Sequence, residues 1–171
     1  MGEHICFRRN ERLATVNPHW RGNPVVRGKF VNRQHRFRPG MGSVLKWRLS
    51  PNPQRKEKKS VKWSPKLNYL RSLDGVVGNS LIWLGHNSFF LQLGRKRIMF
   101  DPVFGDIPFV KRQSDFPANP DIFTDIDYLL ISHDHFDHLD KQSVARLVKN
   151  NPGMKLFCGL GTGELIKGWL P

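Results

Sequence analysis

The sequence predicts a mixed α/β domain of layered architecture, preceded by an irregular basic arm. Three observations carry this reading. From Ser80 onward, short apolar runs alternate with turn residues, first in hairpin order and then as strand, helix, strand, helix. Residues 1–66 contain six prolines and show no sustained period of 2 or 3.6. Charge divides at the same place: residues 1–66 hold 17 basic and 3 acidic side chains, whereas residues 67–171 hold 11 of each, so the arm carries the whole net charge of +14.

In the arm, Ser43 to Arg48 is expected to form a short helical turn; the rest, with Trp20, Trp47, Trp63 and the cluster Arg55-Lys56-Glu57-Lys58-Lys59, cannot bury much surface by itself. The domain, 67–171, begins its regular pattern with strands at Ser80 to Leu84 and Ser88 to Leu93. Gly94-Arg95-Lys96 then supplies a hairpin turn before Arg97 to Phe100. Trp83, Phe89, Phe90 and Phe100 are expected to fill the hairpin core. The proline-rich stretch Asp101 to Asn119 reads as a long loop, and Asp127 to Ser132 as a buried strand. Asp140 is placed to cap a helix whose Val144, Leu147 and Val148 share a face, and Asn150-Asn151-Pro152-Gly153 ends it. A strand at Met154 to Cys158, a glycine-rich turn and a short helix to Trp169 complete the series. Gly159-Leu160-Gly161-Thr162-Gly163 lacks the lysine of a P-loop and reads as a strand-to-helix turn.

Composition excludes several classes. No run approaches the roughly 18 apolar residues of a membrane span, and the first thirty residues contain no apolar signal core. Cys6 stands where a myristoylation signal beginning Met1-Gly2 requires Ser or Thr. Cys6 and Cys158 are too few for a disulfide framework, so a reducing cytoplasm is expected.

The chemistry concentrates where the Asp127–Ser132 run ends, at His133-Asp134-His135-Phe136-Asp137-His138. Three imidazoles and a carboxylate within six residues suit zinc best and tolerate manganese or iron. On a loop leaving a strand, His133 and His135 can point the same way and hold one metal, while Asp137 and His138 turn toward a second. Asp134, between two ligands, is expected to shape the loop by local hydrogen bonds.

This HxHxDH loop resembles that of the metallo-β-lactamase superfamily. Gly28-Lys29-Phe30-Val31-Asn32, Trp83-Leu84-Gly85-His86-Asn87-Ser88-Phe89 and Asp101-Pro102-Val103-Phe104 look like the branch that includes N-acyl-phosphatidylethanolamine-hydrolysing phospholipase D. The resemblance implies an αββα fold of two similar halves with a two-zinc site. His133 and His135 would bind the first ion and Asp137 and His138 the second, the latter two forming the catalytic pair. A hydroxide on the metals would attack phosphorus or a carbonyl carbon.

The family completes its site with a histidine, an aspartate and a further histidine from later strands. After His138 this sequence has no histidine, and its only later acidic residues are Asp140 and Glu164. His4, His19, His35 and His86 lie upstream and do not align with those ligands. The expectation is therefore the N-terminal half of the fold, with weak metal binding and little activity until the second half is supplied.

Two residues keep two readings each. His86 follows a strand and a glycine, and either bonds within its turn or contacts a metal ligand or substrate. Asp101, before Pro102, either caps a turn or orients a ligating imidazole. The expected substrate is a phospholipid-like phosphodiester. A nuclease of the same fold and a non-catalytic binding module are the alternatives. The arm is either a solvated extension, a contact to an anionic membrane surface or, less favoured, to nucleic acid. Oligomeric state is left open by the sequence.

Overall fold

The computed structural model describes residues 4–12, 17–32, 40–63, 65–108 and 112–170; Met1, Gly2 and His35 lie outside them. The chain forms two compact units, Met1–Lys62 and Trp63–Pro171.

The first unit contains regular structure that the sequence did not announce. Strands β1 (Cys6–Arg8), β2 (Asn23–Val26) and β3 (Lys29–Phe30) make a small antiparallel sheet in that order. Arg27 and Gly28 both have positive φ, 50° and 76°, which is what a two-residue hairpin loop needs to match strand twist. Every residue of β1 and β3 is exposed, so no apolar alternation marks them. Helix α1 (Met41–Leu49) extends the turn expected at Ser43 to Arg48, and α2 (Arg55–Ser60) comes next; neither buries a residue.

The second unit is a five-stranded sheet in sequential order: β4 (Ser80–Gly85), β5 (Ser88–Leu93), β6 (Lys96–Phe100), β7 (Tyr128–Ile131) and β8 (Lys155–Cys158). β4, β5 and β6 pair antiparallel, and β6, β7 and β8 pair parallel. The parallel steps need crossovers: a long loop joins β6 to β7, and α3 (Lys141–Asn150) joins β7 to β8. Helix α4 (Thr162–Lys167) closes the chain.

Register sorts the two faces. Ile82, Phe90, Met99, Leu129 and Leu156 stand opposite one another across the five strands and belong to the core with Val144 and Leu147 of α3. Trp83, Phe89, Phe100, Leu130 and Phe157 form the corresponding row on the opposite face. This corrects the expected hairpin core. Phe89 and Phe90 are consecutive and must point to opposite faces, so Phe90 is fully buried while Trp83 is exposed.

α3 begins as its capping residue dictates: the Asp140 carboxylate accepts from Ser143 N at 2.9 Å and from Ser143 Oγ at 2.6 Å. Ser143 Oγ in turn accepts from Phe104 N at 2.9 Å, tying the helix start to the loop after β6. Asn151 ends α3 and, buried, accepts from Ile126 N while its amide donates to Phe123 O and Leu147 O. These bonds tie the end of α3 to the segment that leads into β7.

Candidate metal centre

The carboxyl end of β7 delivers the chain into the histidine loop. Ser132 leaves the strand, and backbone N–H groups of His138 and Leu139 both donate to His135 O, at 3.0 and 2.8 Å, folding the loop back on itself. Buried Leu139 anchors its far end in the core. This turn gathers the imidazoles. The His133 ring lies 3.9 Å from that of His138 and 4.5 Å from that of His135, centroid to centroid.

Asp101, just past β6, organises the floor. Only 10% of its side chain is exposed. Its Oδ1 accepts from Ser132 N at 2.7 Å, and its Oδ2 accepts from Ser132 Oγ at 2.6 Å and from His138 Nδ1 at 2.8 Å. A carboxylate only accepts, so the proton of His138 sits on Nδ1 and the lone pair on Nε2. Asn87 Nδ2, 3.0 Å from that Nε2, faces it as a donor. Ser132 Oγ, having given its hydrogen to Asp101, accepts from His133 Nδ1 at 2.9 Å. One buried carboxylate therefore sets the tautomer of two imidazoles, directly and through a hydroxyl.

His86 enters from the β4–β5 turn. Its Nε2 lies 2.8 Å from Asp137 Oδ2, a bond that spans 51 residues rather than closing its own turn. This hydrogen bond is the largest of the causes that hold the Asp137 carboxyl below its ordinary range. His86, Asp137 and His138 each bring one nitrogen or carboxylate oxygen within 4.8 Å of the other two, the one such group of three that could hold a metal among the described residues. His133 and His135 stand beside this group rather than in it, and Asp134 is exposed and outside it. His86 and Asp101 have φ of 49° and 39°, a left-handed backbone that costs a non-glycine residue on the order of 1–3 kcal/mol and is held only by surrounding contacts.

The donor set fits a divalent metal of borderline hardness: the Nε2 lone pairs of His133 and His138, a carboxylate kept ionised, and a buried partner fixing ring orientation. Residues 96–171, which include this loop, match the model of the beta-lactamase superfamily domain. That match supports the metallo-β-lactamase superfamily for this segment.

Relatives of this chain are similar over different lengths. The N-acyl-phosphatidylethanolamine-hydrolyzing phospholipase D 1 of Caenorhabditis elegans is 28% identical over 163 residues, covering 86% of this chain and 45% of the worm protein. Metal-dependent hydrolases of the UPF0173 group from Saccharolobus solfataricus and Sulfolobus acidocaldarius are 35% and 36% identical over 77 and 78 residues, each match covering 45% of this chain and 31% of the relative. The chain thus spans less than half the length of these relatives.

The sequence points to the histidine loop, His86 and Asp101; Asn87 and Ser88 stand in the Trp83–Phe89 stretch without a role of their own, and Ser132 only as the end of a strand. Ser88 Oγ donates to Asp101 O at 2.8 Å and accepts from Val103 N at 3.0 Å, joining the His86 turn to the Asp101 segment. Such hydroxyls and amides carry no spacing signal, because their partners lie far away in sequence.

Proposed function

We propose that this chain carries the metal-binding half of a hydrolase that cleaves phosphodiesters of the N-acyl phosphatidylethanolamine type. The observation that carries this reading is the convergence of His86, Asp137 and His138 on one point, beside His133 and His135 and above the buried Asp101. In the proposal, His133 and His135 hold one zinc ion and Asp137 and His138 a second, with manganese or iron as weaker fits. Bound metal would supply Lewis acidity and lower the pKa of water. The protein's own part is to hold the ligands: Asp101 keeps the His138 proton on Nδ1, and His86 steadies the Asp137 carboxylate. Four ligands for two ions leave both shells incomplete, so these 171 residues are expected to bind zinc weakly and turn over little substrate without a complementing half. Zinc titration of the full chain with an assay of phosphodiester hydrolysis tests this. Tight binding of two ions with sustained turnover contradicts the incomplete site, and no zinc binding contradicts the metal reading.

The proposed partner of the basic unit is an anionic membrane surface. Helix α1 exposes Met41, Leu45, Trp47 and Leu49, and α2 presents Arg55, Lys56, Lys58 and Lys59 shortly after. Apolar side chains beside cations suit lipid headgroups better than the phosphate backbone of nucleic acid, which has no place for aliphatic groups. Among the described residues no helix is long and apolar enough to cross a membrane. Cosedimentation with phosphatidylserine vesicles but not with neutral phosphatidylcholine vesicles is the expected result; binding to RNA alone would contradict it.

A further inference from the structure

The turn that carries His86 is built on an irregularity. β4 is an edge strand, and its pairing with β5 shifts register between Trp83 and Gly85. A shift of this kind leaves a residue out of the ladder and re-aims the strand beyond it. Here it falls at Leu84, which is fully buried, so its carbonyl needs a partner inside the protein. Arg112 supplies it. Nη2 donates to Leu84 O at 3.1 Å, Nη1 to Val103 O at 3.1 Å, and Nε to Ser114 O at 3.4 Å. One planar fork thus joins the backbone just before Gly85-His86 to the backbone just after Asp101-Pro102.

Gly85 is part of the fit. A Cβ there would lie 2.6 Å from Arg112 Nη2, and its φ of 100° disfavours a side chain in any case. Arg112 is itself held, its guanidinium carbon 5.4 Å from the centre of the Phe116 ring and its backbone N–H 3.3 Å from Asp106 Oδ1. Burial lowers its pKa, yet a guanidinium stays charged at neutral pH.

We propose that Arg112 is a positioning residue of the metal centre: its fork pins the Leu84 bulge to the Asp101–Val103 segment and so sets His86 against Asp137. The proposal rests on reading His86, Asp101, Asp137 and His138 as one centre. Ser88 ties the same two segments from the other side of the turn, so loss of Arg112 leaves the turn hinged on Ser88 and free to carry His86 off Asp137. Lysine cannot replace the fork, because one ammonium does not span two carbonyls in fixed geometry.

The test compares the full chain with R112A, R112K and the surface control R146K. Three quantities are read: thermal midpoint, the nuclear Overhauser cross-peak between the His86 and His138 rings in metal-free protein, and zinc affinity by competition with a chromophoric chelator. Wild type and R146K should show the ring cross-peak, the two centroids being 6.0 Å apart. R112K should fold, lose the cross-peak and bind zinc about 10- to 100-fold more weakly. A merely structural role would lower the midpoint of R112K while the folded protein kept its cross-peak and affinity, and that result overturns the proposal. Should R112A fail to fold, R112K decides. Should wild type bind no zinc, the metal reading falls, and the cross-peak decides for Arg112: its loss in R112K upholds the proposal and its persistence overturns it.

Discussion

Replacing Asp101 by Asn separates the stability of the loop from its capacity to bind metal. In the native chain Oδ1 accepts from Ser132 N at 2.7 Å, while Oδ2 accepts from Ser132 Oγ at 2.6 Å and His138 Nδ1 at 2.8 Å. The amide of Asn keeps the first bond and can donate to the Ser132 hydroxyl. Facing His138, however, its NH2 is a donor where a carboxylate only accepts. The imidazole answers by moving its proton to Nε2, the nitrogen 3.6 Å from Asp137 Oδ2 in the cluster of ligand residues. A protonated nitrogen cannot ligate. D101N is therefore expected to bind zinc about 10- to 100-fold more weakly, a loss of about 1.4–2.7 kcal/mol. Its folding stability should fall by only about 1 kcal/mol. D101A also strands the Ser132 N–H and should cost about 1–3 kcal/mol more in stability. Chelator competition at neutral pH and urea denaturation measure the two quantities. Wild-type zinc affinity in folded D101N would refute the claim that Asp101 sets the His138 tautomer.

Other expectations rest on contacts elsewhere in the chain. Leu147→Ala, at a fully buried position of α3, should destabilise the chain by about 2–5 kcal/mol in denaturant titrations. Asp127 is ion-paired to Lys96 and accepts from Arg97 N at 2.9 Å; with the Lys96 bond the larger cause, its carboxyl is held below the ordinary range. Its contribution is thus complete above the unfolded carboxylate pKa of about 3.9 and lost as pH falls through the lower folded value, so D127N should flatten the acid limb of a stability–pH profile. Burial raises the Cys158 thiol, whereas Cys6 is exposed, so a maleimide at neutral pH should label Cys6 first.

Much of the second unit was legible because local chemistry and tertiary demand agree there. β5 runs from Ser88 to Leu93 as its bounding turns require, and α3 starts after Asp140 because a carboxylate at that position satisfies a free N–H. β7 is shorter than its apolar run suggests, since Asp127 is engaged by Lys96 and Arg97 and Ser132 by Asp101. The face each residue takes was less legible: Trp83 and Phe100 read as core by hydrophobicity, and only register with Phe89 places them opposite Phe90. In the first unit, β1 pairs with β2 across a long separation and exposes all its residues, so composition drowned the signal. The histidine loop was visible as spacing. Its supports, Ser88, Ser132, Asn87 and Arg112, were not, because each acts through a partner brought close only by the fold.

The central claim, that these side chains form a metal centre, is tested most directly by isothermal titration of zinc into the full chain and into H138A and H133A. Saturable binding by the wild type, abolished or weakened by at least about 10-fold in both variants, is the predicted result. Equal binding by all three proteins, or none by the wild type, would contradict it.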